Sequence, residues 1–291
     1  MKDMRRSQRL RALLKKDDLL MIPGAYDSIT AFLIQRAGFE AVYVTGSGVS
    51  LSLLGQPDLN TVSYLELRQV VQNIVNTVSL PVVVDIDTGY GSALNIVRLI
   101  RDFETLDVAG VQIEDQAMPK KCGHEMGRKL VSADEMCCRI EAVRGTRLGD
   151  EGIVIFARTD ARTTYGVDEA IARANRYLES GADVIFVESP ESVDEVRKIV
   201  ESVRGPILFN NVEGGRSPFL SRDTLREIGV RASIYPNALT RIITKSAGEL
   251  LAELKEKGTT EGMMNRMLTH KELFALFDHD DWVELENKYT R

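Results

Sequence analysis

Residues 81–115 read PVVVDIDTGYGSALNIVRLIRDFETLDVAGVQIED. The segment opens on a short, continuous, β-branched apolar run that ends in Asp85 and Asp87. A helix-length stretch follows, with apolar residues spaced three to four apart over 94–103. The segment closes on a second apolar run, over 109–115, ending in Glu114 and Asp115. Runs that are apolar throughout, rather than alternating, suit strands buried on both faces of a parallel sheet. A strand, a helix and a second strand in this order form the crossover unit that parallel pairing requires.

The same pattern extends in both directions. Strand-like runs fall at 19–23, 41–45, 81–87, 109–115, 153–158, 183–188, 206–210 and 232–235, and further helix-like stretches at 64–78, 134–143 and 167–179. Eight strands alternating with helices predict a closed (β/α)8 barrel. A doubly wound open sheet is the competing topology. It ranks second because no glycine-rich dinucleotide fingerprint opens the first unit. No linker, repeat or low-complexity segment interrupts the chain, so residues 1–291 are expected to form one barrel domain. The stretch from 258 to 291 holds no further strand, and its apolar residues are spaced as in helices. This C-terminal extension must bury a face on its own barrel or on a neighbouring subunit.

Composition narrows the function. With 43 acidic against 37 basic residues, a net charge of -6 offers no field for nucleic acid or anionic lipid. The charged N-terminal stretch has no apolar core of signal-peptide length, and no run approaches the roughly 20 apolar residues that span a bilayer. The expectation is a cytoplasmic protein without a membrane or nucleic-acid partner. Three cysteines, Cys122, Cys137 and Cys138, do not make a disulfide scaffold.

Chemistry gathers where the strands end: Asp85 and Asp87, then Glu114 and Asp115, Arg158 and Asp160, Glu188, and Asn210. One Asp after a strand is ordinarily a helix cap or turn residue. Recurrence over five successive strands instead points to the barrel's C-terminal rim, where barrel active sites lie. Asp85 and Asp87, two apart, would share a strand face and repel each other without a cation. With Glu114 on the adjacent strand and Asp58 in the loop LGQPDLN, they form an oxygen-only donor set, which favours Mg2+ or Mn2+ over zinc. The loop PKKCGHEMGRKLVS, residues 119–132, carries Lys120, Lys121, Cys122, His124 and Lys129 between glycines. Lysines and a protonated His124 would lower the pKa of Cys122 and make it a proton donor or acceptor. A solvated basic loop with a chance cysteine is the plain alternative. The loop's tail, Ser132 to Glu135, reads as a capping box. The stretch Tyr43-Val-Thr45-Gly46-Ser47 offers backbone N–H groups suited to a carboxylate. Arg158 can grip a carboxylate with both prongs, or be held in an ion pair with Asp160 or Glu188.

VDIDTGYG, IEDQ, PKKCGH, ARTDA and NNVEGG, in this order and spacing, resemble the isocitrate lyase / phosphoenolpyruvate mutase superfamily. The resemblance runs over nearly the whole chain and is strongest to the short members: 2-methylisocitrate lyase, 2,3-dimethylmalate lyase, oxaloacetate decarboxylase and carboxyphosphonoenolpyruvate mutase. It implies a barrel whose last helix swaps between subunits of a homotetramer built as a dimer of dimers. It implies Mg2+ held by Asp85, with Asp58, Asp87 and Glu114 mostly through water. It further implies a small-molecule carboxylate substrate held by Arg158 and the Thr45–Ser47 backbone, lined by Tyr43, Glu188 and Asn210. Lys121, His124 and Arg158 would stabilise developing charge, and Cys122 would protonate carbon. The expected reaction is carbon–carbon cleavage of a 2-hydroxy di- or tricarboxylate to pyruvate and a second carboxylate. Phosphonomutase and oxaloacetate decarboxylase are the alternatives, and a non-catalytic 2-oxo-acid sensor is a reading of a different class. Glu125 stands where methylisocitrate lyases typically carry Arg after CGH, and Thr45-Gly46-Ser47 replaces their Ser-Gly-Gly. Both departures favour a dicarboxylate.

Overall fold

The continuous apolar runs become strands because both of their faces are covered. In the computed structural model, which describes residues 4–121, 123 and 127–290, they are β1 (Leu20–Ala25), β2 (Val42–Val44), β3 (Val82–Asp85), β4 (Gly110–Glu114), β5 (Val154–Thr159), β6 (Val184–Val187), β7 (Ile207–Asn210) and β8 (Ala232–Tyr235). All pair in parallel in sequence order, and β8 returns to β1 through Leu20↔Ala232 and Ile22↔Ile234, so the barrel closes as expected. Ile22, Tyr43, Val83, Phe156, Phe186, Leu208 and Ile234 fill the lumen. The alternate residues, among them Val42, Val84, Val111, Ile113, Ile155 and Ile185, pack outward against the helices.

Before β1 lies α1 (Arg6–Leu14), a helix that its density of charge conceals in the sequence. Leu10 and Leu14 join the lumen cluster and close the N-terminal end of the barrel. Its arginines bind backbone carbonyls there: Arg6 to Val75 (2.9 Å) and Arg11 to Gly152 (3.0 Å). The outer layer follows as α2 (Ser28–Arg36), α3 (Gly46–Leu54), α4 (Tyr64–Thr77), α5 (Ala93–Thr105), α6 (Ala133–Thr146), α7 (Ala161–Tyr165), α8 (Val167–Glu179), α9 (Val193–Ser202) and α10 (Arg222–Ile228). Asp27, Ser63, Ser192 and Ser221 cap their helices by accepting an N–H three residues on. At Ser132 the expected capping box is half made. Its hydroxyl accepts the Glu135 N–H (3.1 Å), but the Glu135 carboxylate pairs with Arg139 one turn later (2.7 Å).

Two compact units divide the chain, Met1–Leu239 and Thr240–Arg291. The boundary lies inside α11 (Ala238–Lys257), well before residue 258. The second unit continues through a short 3-10 turn to α12 (His270–Leu276) and α13 (His279–Tyr289). Among its described residues only Thr240 is buried. No helix of the described chain is long and apolar enough to cross a membrane.

Candidate active site

The inward alternation of the lumen carries on to the strand ends, where it changes from apolar to charged. Register aligns Asp85 with Gln112, Glu114 with Arg158, and Arg158 with Phe186. Above the apolar layer, Tyr43, Thr45, Ser47, Asp58, Asp85, Gln112, Gly123, Arg158, Glu188 and Asn210 line one cavity at the C-terminal rim.

Asp85, Asp87 and Glu114 offer carboxylate oxygens within 4.8 Å of one another. The expectation that Asp85 and Asp87 share a strand face is corrected in its route. β3 stops at Asp85, and Asp87 lies beyond it with φ +48°. A turn brings the two together, with the Asp87 N–H donating to Asp85 Oδ1 at 3.1 Å. Burial raises the pKa of all three carboxyls. Asp87 is pushed up to about 7, because burial and its acidic neighbours outweigh the opposing pull of Lys120. Glu114 is held well above the ordinary value by burial, against the pull of Arg158.

Asp58 sits beside this cluster, and Lys120 joins them. Its ammonium lies 2.6 Å from Asp58 Oδ1 and 2.7 Å from Asp87 Oδ1, with the side chain 3% exposed. Of the loop's two lysines, Lys120 reaches the carboxylates. Lys121 is exposed, and its backbone exchanges hydrogen bonds with the Gln116 side chain (both 2.9 Å). Cys122 and His124, as well as Glu125, lie outside the described residues.

A divalent cation fits this donor set. Asp58, Asp85, Asp87, Glu114, Asp160 and Glu188 outnumber Lys120, Arg128 and Arg158 among the described residues. Glu114 Oε1 is buried without a hydrogen-bond donor among the described residues, and Asp87 Oδ1 faces only the Lys120 ammonium there. Buried carboxylate oxygens without donors are what a hard cation and its waters satisfy. No soft ligand joins the described cluster.

Arg158 realises both sequence readings at once. It is forked onto Asp160, Nε to Oδ2 (3.0 Å) and Nη2 to Oδ1 (2.9 Å), and it still lines the cavity. Its Nη1 lies 3.3 Å from Glu114, and Nη2 lies 3.5 Å from Glu188. Burial opposes its charge, but Asp160, Glu114 and Glu188 outweigh burial and keep it ionised. Glu188 accepts from Ser189 Oγ (2.9 Å) and from the Asn210 amide (3.2 Å). The Asn210 Oδ1 beside it is buried without a partner among the described residues.

Thr45-Gly46-Ser47 is more than a turn. Thr45 is the residue before α3, and Gly46 and Ser47 form the first turn of that helix. The N–H groups of a helix's first turn have no carbonyl of their own helix to bind. A Cβ on Gly46 would stand 3.3 Å from Asp85 Oδ2, so glycine lets the backbone approach the carboxylates.

Some of the site is not apparent in the sequence. Gln112, fully buried in β4, accepts from the Tyr43 hydroxyl (2.5 Å) and donates to Asp85 (3.1 Å). It fixes the orientation of the Asp85 carboxylate. An amide within an apolar strand was its only signal. Asp115, by contrast, points outward. It accepts from Thr159 (2.7 Å), Tyr177 (2.8 Å) and Arg173 (3.2 Å), and so ties α8 to the sheet.

A closed parallel barrel with a carboxylate cluster and a buried arginine at its C-terminal rim defines a barrel enzyme equipped for a small anionic substrate. The chain belongs to the phosphoenolpyruvate phosphomutase family, whose model matches residues 10–255. It is 44% identical to 2,3-dimethylmalate lyase of Eubacterium barkeri, over 99% of this chain and 99% of that protein. It is 39% identical to 2-methylisocitrate lyase of Halalkalibacterium halodurans, over 98% and 94%. The crystal structure of a 2,3-dimethylmalate lyase, described as a PEP mutase/isocitrate lyase superfamily member, superposes with a TM-score of 0.92 at 33% identity, covering 99% of this chain and 96% of that one. Relatives named as lyases support the expectation of a carbon–carbon lyase.

Proposed function

We propose that this protein is an Mg2+-dependent carbon–carbon lyase that cleaves a 2-hydroxy dicarboxylate or tricarboxylate, of the 2,3-dimethylmalate or 2-methylisocitrate type, to pyruvate and a second carboxylate. The observation that carries the reading is the Asp85, Asp87 and Glu114 cluster set beside Arg158 on one rim. These carboxylates, with Asp58 at their edge, would hold the ion, and Mn2+ suits the same oxygens. When bound, it supplies Lewis-acid polarisation of the substrate's 2-oxygen.

The chain's own groups do the rest. Arg158 binds the carboxylate next to C2 through its Nη1–Nη2 edge, which Asp160 does not occupy and which Glu114 and Glu188 face at 3.3 and 3.5 Å, and the first turn of α3 receives the same group. The hydroxyl proton passes to solvent, from which the Cys122 thiolate later recovers one, the C2–C3 bond breaks, and its electron pair passes to C3 as a carboxylate-stabilised enolate. Lys120 and Arg158 stabilise this added charge in a buried site, where fixed cations act strongly. Lys121 and His124 keep the supporting role that the resemblance gives them. The Cys122 thiol delivers the proton to C3. Tyr43, Glu188 and Asn210 shape the pocket around the pyruvate unit.

A phosphonomutase of the carboxyphosphonoenolpyruvate kind is the second reading, favoured by the family's own description. An oxaloacetate decarboxylase would use the same groups and break a different bond. A pyruvate-release assay with 2,3-dimethylmalate, 2-methylisocitrate and oxaloacetate, run with Mg2+ or EDTA and with Cys122→Ala, separates them. Metal-dependent pyruvate from one hydroxy acid, lost in the variant, is the expected result. Pyruvate from oxaloacetate alone moves the assignment to decarboxylase, and none from any substrate sinks the lyase.

The second unit bears on assembly. Ile242, Leu251, Met264, Leu268, Trp282 and Tyr289 are exposed, between 56% and 74% of their surface. Apolar surface of this extent calls for a cover. The resemblance supplies one, a second copy of the chain within a homotetramer.

A further inference from the structure

The stem of the loop that carries Cys122 is fastened to the substrate-binding arginine through a single carboxylate. At one side of the stem Ala117 N–H donates to the Lys129 carbonyl (2.7 Å), and Gln116 bridges to Leu130. Next to it Arg128, whose side chain is fully buried, donates through Nη1 to Asp160 Oδ1 and through Nη2 to Thr163 Oγ1 (2.5 Å). Asp160 Oδ1 also accepts from Arg158 Nη2 (2.9 Å) and faces the Gln116 amide at 3.4 Å. One buried carboxylate is therefore shared by two buried guanidinium groups.

We propose that Arg128 is a positioning residue that acts through Asp160 on Arg158. It rests on the reading above, that Arg158 receives the substrate carboxylate. A carboxylate given wholly to Arg158 would cancel most of the charge that draws an anion in. Divided between two guanidinium groups, it still locks the Nε–Nη2 edge of Arg158 but cancels less of its charge, which Glu114 and Glu188 already oppose from the other side. In a low-dielectric interior the added charge of Arg128 is felt strongly. The same residue sits beside the Ala117–Lys129 and Gln116–Leu130 pairing where the loop re-enters the barrel, so anion binding and the loop's stem share one arginine.

The probe is oxalate, a planar dianion with the outline of the pyruvate enolate. Its binding in the presence of Mg2+ is measured by calorimetry for wild type, Arg128→Gln, Arg128→Lys and Lys129→Met, with thermal unfolding and steady-state kinetics alongside. Arg128→Gln, which keeps a donor to Asp160 but loses the charge, is expected to weaken oxalate about 10-fold and to raise KM more than it lowers kcat. Arg128→Lys, which keeps the charge, is expected to bind within about 3-fold of wild type. Lys129→Met, at an exposed position, should match wild type. A purely structural Arg128 would lower Tm while the folded protein bound oxalate normally, and that result overturns the proposal. Should Arg128→Gln not fold, Thr163→Val loosens the other end of Arg128 without removing a charge. It is expected to weaken oxalate about 3-fold, and wild-type binding there equally overturns the proposal. Wild type that binds no oxalate at all would overturn the carboxylate-binding reading of Arg158 first, and this inference with it.

Discussion

Gly123 shows how closely the site is packed. A Cβ there would fall 2.4 Å from Arg158 Nη2 and 2.8 Å from the Glu188 carboxylate, so the backbone crosses the arginine with no room for a side chain. Gly123→Ala should displace Arg158 and lower kcat/KM by about 100-fold, because misplacement of a binding group by an ångström costs this much. Circular dichroism should stay native, and a variant with full activity would show that Arg158 does not bear on the reaction. Asp85→Asn removes a donor from the carboxylate cluster and should abolish detectable Mg2+ binding by calorimetry. Unchanged binding would place the ion elsewhere. Asp85, Glu114, Arg158, Glu188 and Asn210 were legible in the sequence because strand period fixes where a strand-end side chain points. The resemblance gave the charge-stabilising role to Lys121, whereas it is Lys120 that reaches the carboxylates; neighbouring loop residues have no such period to separate them. Gln112 passed unnoticed because a neutral amide in an apolar run gives no charge signal.

At the scale of elements, legibility followed periodicity. β8 and α8 fall within the boundaries read from the sequence, and most of the other strands end within a residue or two of them. α1 was missed because its arginines mask the Leu10 and Leu14 stripe, and nothing local says that a barrel end needs a plug. Leu10→Ala should cost about 2–5 kcal/mol of stability, the range for a fully buried leucine, while kcat is retained, since the plug is at the opposite end from the chemistry. A variant that loses activity in step with stability would contradict that separation. The rim loops depend on charge instead. Arg162, from α7, joins Glu195 of α9 (2.7 Å) and Glu191 (2.6 Å). Hydrogen bonds from Arg162 hold both carboxyls below their ordinary value. A carboxyl lowered in the folded state contributes above its unfolded pKa, and the contribution is lost as pH falls through the folded value. Arg162→Met should therefore lower Tm at pH 7, and the gap to wild type should close below about pH 4, the ordinary carboxylate range. A gap that persists unchanged in acid would mean that Arg162 acts through packing.

For the whole molecule the question is what the residues beyond Leu239 are for. The lumen and the helix-facing layer of the first unit are filled by its own side chains. The second unit has no such interior, and its helices still carry Leu251, Leu254, Leu273, Phe274, Trp282 and Leu285. The sequence signalled this surplus as helical apolar spacing without a strand, although it set the start of the extension later than the division inside α11. It could not give the cover, because a helix stripe is the same whether its partner is the same chain or another. If a second copy covers this face, wild type should travel as a multiple of its 32.4 kDa mass in light scattering. Leu251→Asp and Trp282→Asp should each reduce that mass. A charge at a dry interface cannot be solvated without opening it, at a cost of several kcal/mol. The barrel should survive, because neither residue belongs to its core, and far-ultraviolet circular dichroism would report this. A wild type already at the mass of one chain would remove the second copy as the cover. Variants that keep the assembled mass would move the interface off these helices.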